Sequence, residues 1–280
     1  MKLLLGDIAY ALPDNEHLNL AICELVNNEE QRVLALRRCG MSTDEDILIH
    51  FARMYILRWA IPVIEIESSG QLGPDAICKI ERRFWLCMLG RALDDLNDRD
   101  SVFFSPGDSA TLLACYSSLL NLQPGEGNVV LRGALASFEF ETDHHESSQL
   151  SMAQIRDDVC KRVAYFLSSD EVDKRCAALL RRYVGVLLGR CDLDDCLADG
   201  RSGPASTTIS RNLHKVIADR EGKLHIGADL LNWYKQVHGL LSDEAQVLAT
   251  DLSDAGASYA SSIVTDSLAC WDTEIKLLRG

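Results

Sequence analysis

The chain contains no block of lysine or arginine, no Cys-x-x-Cys or Cys/His metal spacing, and almost no sustained apolar/polar alternation. Each absence excludes a class. With 42 acidic against 28 basic residues and a net charge of −14, no basic field remains to neutralise a phosphate backbone, so nucleic acid is excluded as a partner. The ten cysteines are scattered through helix-like runs, which suits reduced, buried thiols in a cytoplasmic protein and argues against zinc. The scarcity of period-two alternation leaves little room for sheet. The opening MKLLLGDIAYAL is soon interrupted by Pro13 and lacks the length and flanks of a signal peptide or membrane span, so it reads as part of the folded domain with no stable membrane insertion. No fixed-period repeat or low-complexity tract is present.

What remains is helical texture. Helix-like segments are expected at about 17–38, 44–67, 74–98, 108–121, 128–140, 150–168, 171–199, 207–220, 226–239 and 243–278, separated by short Gly, Pro and Ser breaks. The fold class is therefore all-α. At 280 residues and 47% hydrophobic content, one domain over residues 1–280 can bury about three quarters of its unfolded surface.

Two acidic clusters stand out, Asp94-Asp95-Leu96-Asn97-Asp98 and Asp194-Asp195-Cys196-Leu197-Ala198-Asp199. Each ends a long apolar helical run, and each has a Gly-Arg pair shortly before a Leu-Asp-Asp core. Helical spacing gives Asp94, Asp95 and Asp98 a common side, and Asp195 and Asp199 are one turn apart. Carboxylates stacked this closely repel, and the C-terminal end of a helix dipole disfavours negative charge, so the arrangement calls for a cation. Hard oxygen ligands suit Mg²⁺, which takes one or two carboxylates and fills its shell with water and substrate phosphates. The alternative for either cluster alone is a solvated acidic helix end.

With these residues the chain resembles the class I isoprenoid synthase superfamily. Asp94-Asp95-Leu96-Asn97-Asp98 matches its DDxxD motif, and Asp195 to Asp199 followed by Gly200-Arg201 looks like the DxxxD-x-G-R segment of squalene and phytoene synthases. The resemblance implies an antiparallel helical bundle around a central cavity, roofed by two Asp-rich helix ends that hold magnesium and a prenyl diphosphate. It also implies a frequent habit of pairing as homodimers. Two departures narrow the choice: no Arg-Arg pair follows the first motif, which counts against chain elongation. At the first position of the Asn/Ser/Glu triad typical of terpene synthases stands Cys191.

The resulting expectation is a magnesium-dependent class I terpene synthase. It would ionise a linear prenyl diphosphate of ten to twenty-five carbons and let the cation cyclise or lose a proton. Asp94, Asp95, Asp98, Asp195 and Asp199 are the candidate catalytic and metal residues. Arg201 is the first candidate donor to the diphosphate; Arg211 and Lys215, one turn apart, are a second group, and Arg156, Lys161 and Arg162 a third. Shielding a carbocation calls for apolar and π-rich walls, and Phe84 and Met88 lie upstream on the first-motif helix. Ordinary core packing is the competing reading for each. His144 and His145 are read as surface residues. The alternatives are a prenyltransferase, either squalene/phytoene synthase-like or acceptor-dependent, and a non-catalytic helical binding protein.

Overall fold

A computed structural model describes residues 2–5, 8–11, 16–39, 41, 45–98, 114, 120, 173–202 and 228–277. These residues are helical apart from turns and one short antiparallel strand pair, β1 (Lys2–Leu5) with β2 (Ile8–Ala11), in which Lys2 faces Ala11 and Leu5 faces Ile8. The helices are α1 (Glu16–Asn27), α2 (Glu29–Arg38), α3 (Glu45–Tyr55), α4 (Ile61–Glu67), α5 (Ala76–Asp98), α6 (Lys174–Ser202), α7 (Ala228–Asp254) and α8 (Ser258–Leu277). A π-turn over Ile56–Ala60 joins α3 to α4 without a break. The helices expected at 108–121, 128–140, 150–168 and 207–220 fall outside the described residues, apart from Ala114 and Leu120.

The long expected segments at 44–67 and 74–98 are present nearly to the residue. Three differences have an identifiable physical reason. Asn28 separates α1 from α2 within the expected 17–38 helix, with φ −95° and ψ 17° outside the helical region. Helix α6 starts at Lys174 because Asp173 is its N-cap: its Oδ1 accepts the N–H of Arg175 at 2.7 Å and of Cys176 at 3.0 Å. Those same N–H groups hold the exposed Asp173 carboxyl below its ordinary value, that of Cys176 first. The break expected near 240–242 lies instead at 255–257. Ser242 resembles a helix start in sequence, but its hydroxyl bonds the Nδ1 of His238 at 3.3 Å inside α7, while Leu241, Ala245, Leu248 and Leu252 continue one buried stripe past it.

The helix running from α3 through the π-turn to α4 is the axis of the packing. Below it the chain turns at residues 68–75 and re-emerges as α5, where Arg83 pairs with Glu67 at 3.1 Å. Helix α6 starts beside the same turn, with Ser69 Oγ 3.6 Å from Cys176 Sγ, and reaches Arg58 through Tyr183. The α7–α8 connection meets this turn as well: Gly256, at φ +86°, lies against Ser69 and Gly70, and Gly70 is at φ +77°. A Cβ on Gly70 would overlap the Gly256 carbonyl, and one on Gly256 would stand 2.8 Å from the Ser69 carbonyl oxygen. Thus α4 descends to this end while α5, α6 and α8 all rise from it.

Glu65 ties α8 to α4. The side chain is buried, and its two oxygens accept the N–H groups of Tyr259 at 3.0 Å and Ala260 at 2.7 Å, in the first turn of α8. A carboxylate there satisfies two orphan donors and faces the positive end of the dipole. Burial raises the carboxyl above its ordinary value, and the N–H groups of Ala260 and Tyr259 pull it partly back. On the other side of α5, Arg32 is buried, donates to the Leu25 carbonyl at 2.8 Å and to Glu81 at 3.1 Å, and stands 5.4 Å from the centre of the Phe84 ring. The core between includes Ile61, Phe84, Met88, Tyr183 and Tyr259.

Two outcomes are expected in urea unfolding. Glu65→Ala loses about 2–4 kcal/mol, through two unmatched N–H groups and the space left behind. Because the native state binds this proton more tightly than the unfolded chain, the carboxyl's contribution is fully present below 4.5 and is lost as pH rises through the native value. The gap between wild type and Glu65→Ala therefore widens as pH falls toward 4.5. Gly70→Ala loses about 2 kcal/mol or more, since alanine meets both an unfavourable φ and the Gly256 carbonyl.

Candidate functional site

Helices α5 and α6 carry the two acidic clusters, and both clusters occupy the last turns of their helices. Eighteen residues separate Ala76 from Asp94 and nineteen separate Cys176 from Asp195. At about 1.5 Å per residue, the clusters lie roughly 27 and 28 Å of helix above the turn at 68–75. Since α5 and α6 both start beside that turn and run away from it, each cluster lies at the end of its helix remote from the turn. The five aspartate side chains lie outside the described set, so the placement is one of helical positions.

Those positions continue lines that are buried lower down. Asp95 is eleven residues, about three turns, beyond Phe84, and Asp195 is eleven beyond Val184. Phe84 and Val184 are both fully buried. The acids thus hold helical positions in line with residues that are buried three turns below. Among the described residues no group of three or more His, Cys, Asp or Glu side chains is placed to hold a metal, the clusters themselves being outside that set.

Helix α6 continues through Ser202, so Arg201 sits on the helix and not on the loop expected after Asp199. It is two residues beyond Asp199, about 200° round the helix, and seven beyond Asp194, on nearly the same line. Arg211, Lys215, Arg156, Lys161, Arg162, His144 and His145 fall outside the described residues.

Phe84 and Met88 are both buried to 0% exposure. Phe84 is enclosed by Trp85, edge-on with ring centres 4.7 Å apart, and by Arg32 above its face. Trp85 in turn donates its indole N–H to Glu81 at 3.1 Å. These contacts are those of a packed core residue and fill the ring's surroundings at this level of α5. Cys87, two turns below Asp94, is buried, and burial pushes its thiol up to about 12 against the opposing charge of Arg83. A thiol raised that far is protonated at neutral pH and is no nucleophile there.

Sequence reasoning missed two features of this region: the use of Glu65 as a distant cap for α8, and the hydroxyl groups of Tyr183 and Tyr259 on the π-turn. The signal for the second was present in Pro62, which breaks the amide ladder inside a long helical run. Comparison of the chain with family models, curated proteins and solved structures finds no match in any of the three. No described helix is long and apolar enough to cross a membrane.

The packing of the motif helix gives a direct chemical expectation. A maleimide at neutral pH should modify Cys23 and Cys78, which are exposed, and leave Cys87 and Cys176 unmodified until the protein is unfolded. Peptide mass mapping reads this out; native labelling of Cys87 would contradict the packing of α5.

Proposed function

We propose that this chain is a magnesium-dependent class I terpene synthase, one helical bundle domain over residues 1–280, which ionises a linear prenyl diphosphate and releases diphosphate. The observation that carries the reading is that two Asp clusters end two helices that start beside the same turn and run away from it. The donor chemistry fits magnesium: hard carboxylate oxygens from two helix ends, offered where a cation is needed to offset like charges and two negative dipole ends. Asp94, Asp95 and Asp98 would hold it from α5, and Asp195 and Asp199 from α6. Bound there, magnesium supplies charge neutralisation of the leaving diphosphate.

The chain's own residues do the rest. The carboxylates orient the cation–diphosphate complex over the interior, and Arg201, with Arg211 and Lys215, donates to diphosphate oxygens through charge-assisted hydrogen bonds. The apolar interior excludes water from the allylic cation, which then cyclises or loses a proton. The thiols of Cys23, Cys78, Cys87 and Cys176 are consistent with a cytoplasmic enzyme, and a homodimer is the assembly this reading implies.

The second reading is a prenyltransferase of the squalene/phytoene synthase type, favoured by the Asp195-to-Arg201 segment. Incubation with ten-, fifteen-, twenty- and twenty-five-carbon prenyl diphosphates, with and without Mg²⁺, separates the two. A synthase gives a magnesium-dependent hydrocarbon or alcohol from any single diphosphate substrate. A squalene/phytoene-type transferase condenses two such molecules into a product of twice the chain length, and an acceptor-dependent one is silent. Silence with retained magnesium-dependent binding of prenyl diphosphate would identify a non-catalytic binding protein or a transferase lacking its acceptor. Asp95→Ala is expected to lower turnover about a hundredfold or more with an unchanged unfolding midpoint. Full activity in that variant removes Asp95 from the site.

A further inference from the structure

Pro62 lies one residue after the π-turn and has no N–H to give. An amide at position 62 would bond the carbonyl of residue 58 in α register, or that of residue 57 in π register. The chain is in π register immediately before, because the Ile61 N–H bonds the Ile56 carbonyl. The two carbonyls that the missing amide would serve are the two that receive tyrosine hydroxyls. Tyr183 of α6 donates to the Arg58 carbonyl at 2.5 Å, and Tyr259 of α8 donates to the Leu57 carbonyl at 3.1 Å. Both tyrosines are fully buried, at 0% and 1% exposure.

We infer that Tyr183 and Tyr259 form a latch on a joint at residues 56–62. Two hydroxyls from two helices far away in sequence replace one absent amide donor in both registers it could serve, and so hold the joint in its π form. Released, the joint exchanges between π and α register, a change of one residue that turns α3 against α4 by about 100° and shifts it by about 1.5 Å. Since Tyr183 belongs to α6, the same bond fixes how far α6 stands along α4 and therefore how high its acidic end lies relative to that of α5. The latch is argued from the proline and the two hydroxyls and holds whether or not the acidic ends are catalytic.

The test is a pair of double-variant cycles. Tyr183→Phe and Tyr259→Phe are each made in the native protein and in Pro62→Ala, which restores an amide at position 62. Native-state hydrogen exchange of the α4 amides and the urea midpoint are read for all of them. Each Phe substitution alone should raise exchange in α4 by about tenfold, the worth of one buried hydrogen bond, with little change in α7. In the Pro62→Ala protein one of the two losses should vanish: that of Tyr259→Phe if the new amide bonds residue 57, that of Tyr183→Phe if it bonds residue 58. A Phe variant that does not fold alone should fold again when combined with Pro62→Ala. Equal penalties in both backgrounds, a rise spread evenly over α7 and α4, or no recovery of either double variant would overturn the latch.

Discussion

Everything described of this molecule depends on satisfying the backbone of one buried helix, residues 45–67. Its interior is apolar, so each carbonyl or carboxylate it buries must find a donor from another element. Pro62 removes a donor just after the π-turn of that helix, and Glu65 places an acid near its lower end. The partners come from Tyr183, Tyr259 and the first turn of α8. These bonds join residues 125 to 202 positions apart, so they also tie the first part of the chain to the last. A break in the regular ladder has become the point at which α6 and α8 are held.

The consequence reaches the acidic end. Because α5 and α6 both rise from the turn at 68–75, their dipoles run the same way, and each ends negative at its own cluster of like charges. Nothing in local helix physics favours that arrangement; it costs stability on both counts. Helices whose stripes of buried residues run straight into carboxylates, as from Phe84 to Asp95 and from Val184 to Asp195, lead from core to acid within three turns. An arrangement of this kind gains its balance from a multivalent cation and an anion carried with it, which is the physical basis of the proposed chemistry.

Much of the helix pattern was legible. The segments 44–67 and 74–98 are expected almost to the residue because their apolar spacing is long and unbroken, even across Pro62. The start of α6 was misjudged by three residues although Asp173 is an ordinary N-cap. The break placed near Ser242 was wrong for a more instructive reason: Ser-Asp-Glu is a start signal in an open chain, but the buried Leu241, Ala245, Leu248 and Leu252 stripe overrides it. Phe84 shows a similar limit at the site. Its place upstream on the first-motif helix made it a candidate wall residue with core packing as the competing reading, and only the structure shows Trp85 and Arg32 against its ring.

The sequence by itself determined that the described residues are mostly helical and that the acids of each cluster share the end of a helix, because both follow from spacing within a few turns. Only the tertiary structure decided that the two acidic helices start from one turn, that Glu65 caps a helix nearly two hundred residues away, and that two tyrosines answer for the amide missing at Pro62. Contacts of that range leave no periodic trace in the chain. They arise because burying a polar backbone group demands a partner, and the fold alone sets which residue is near enough to be one.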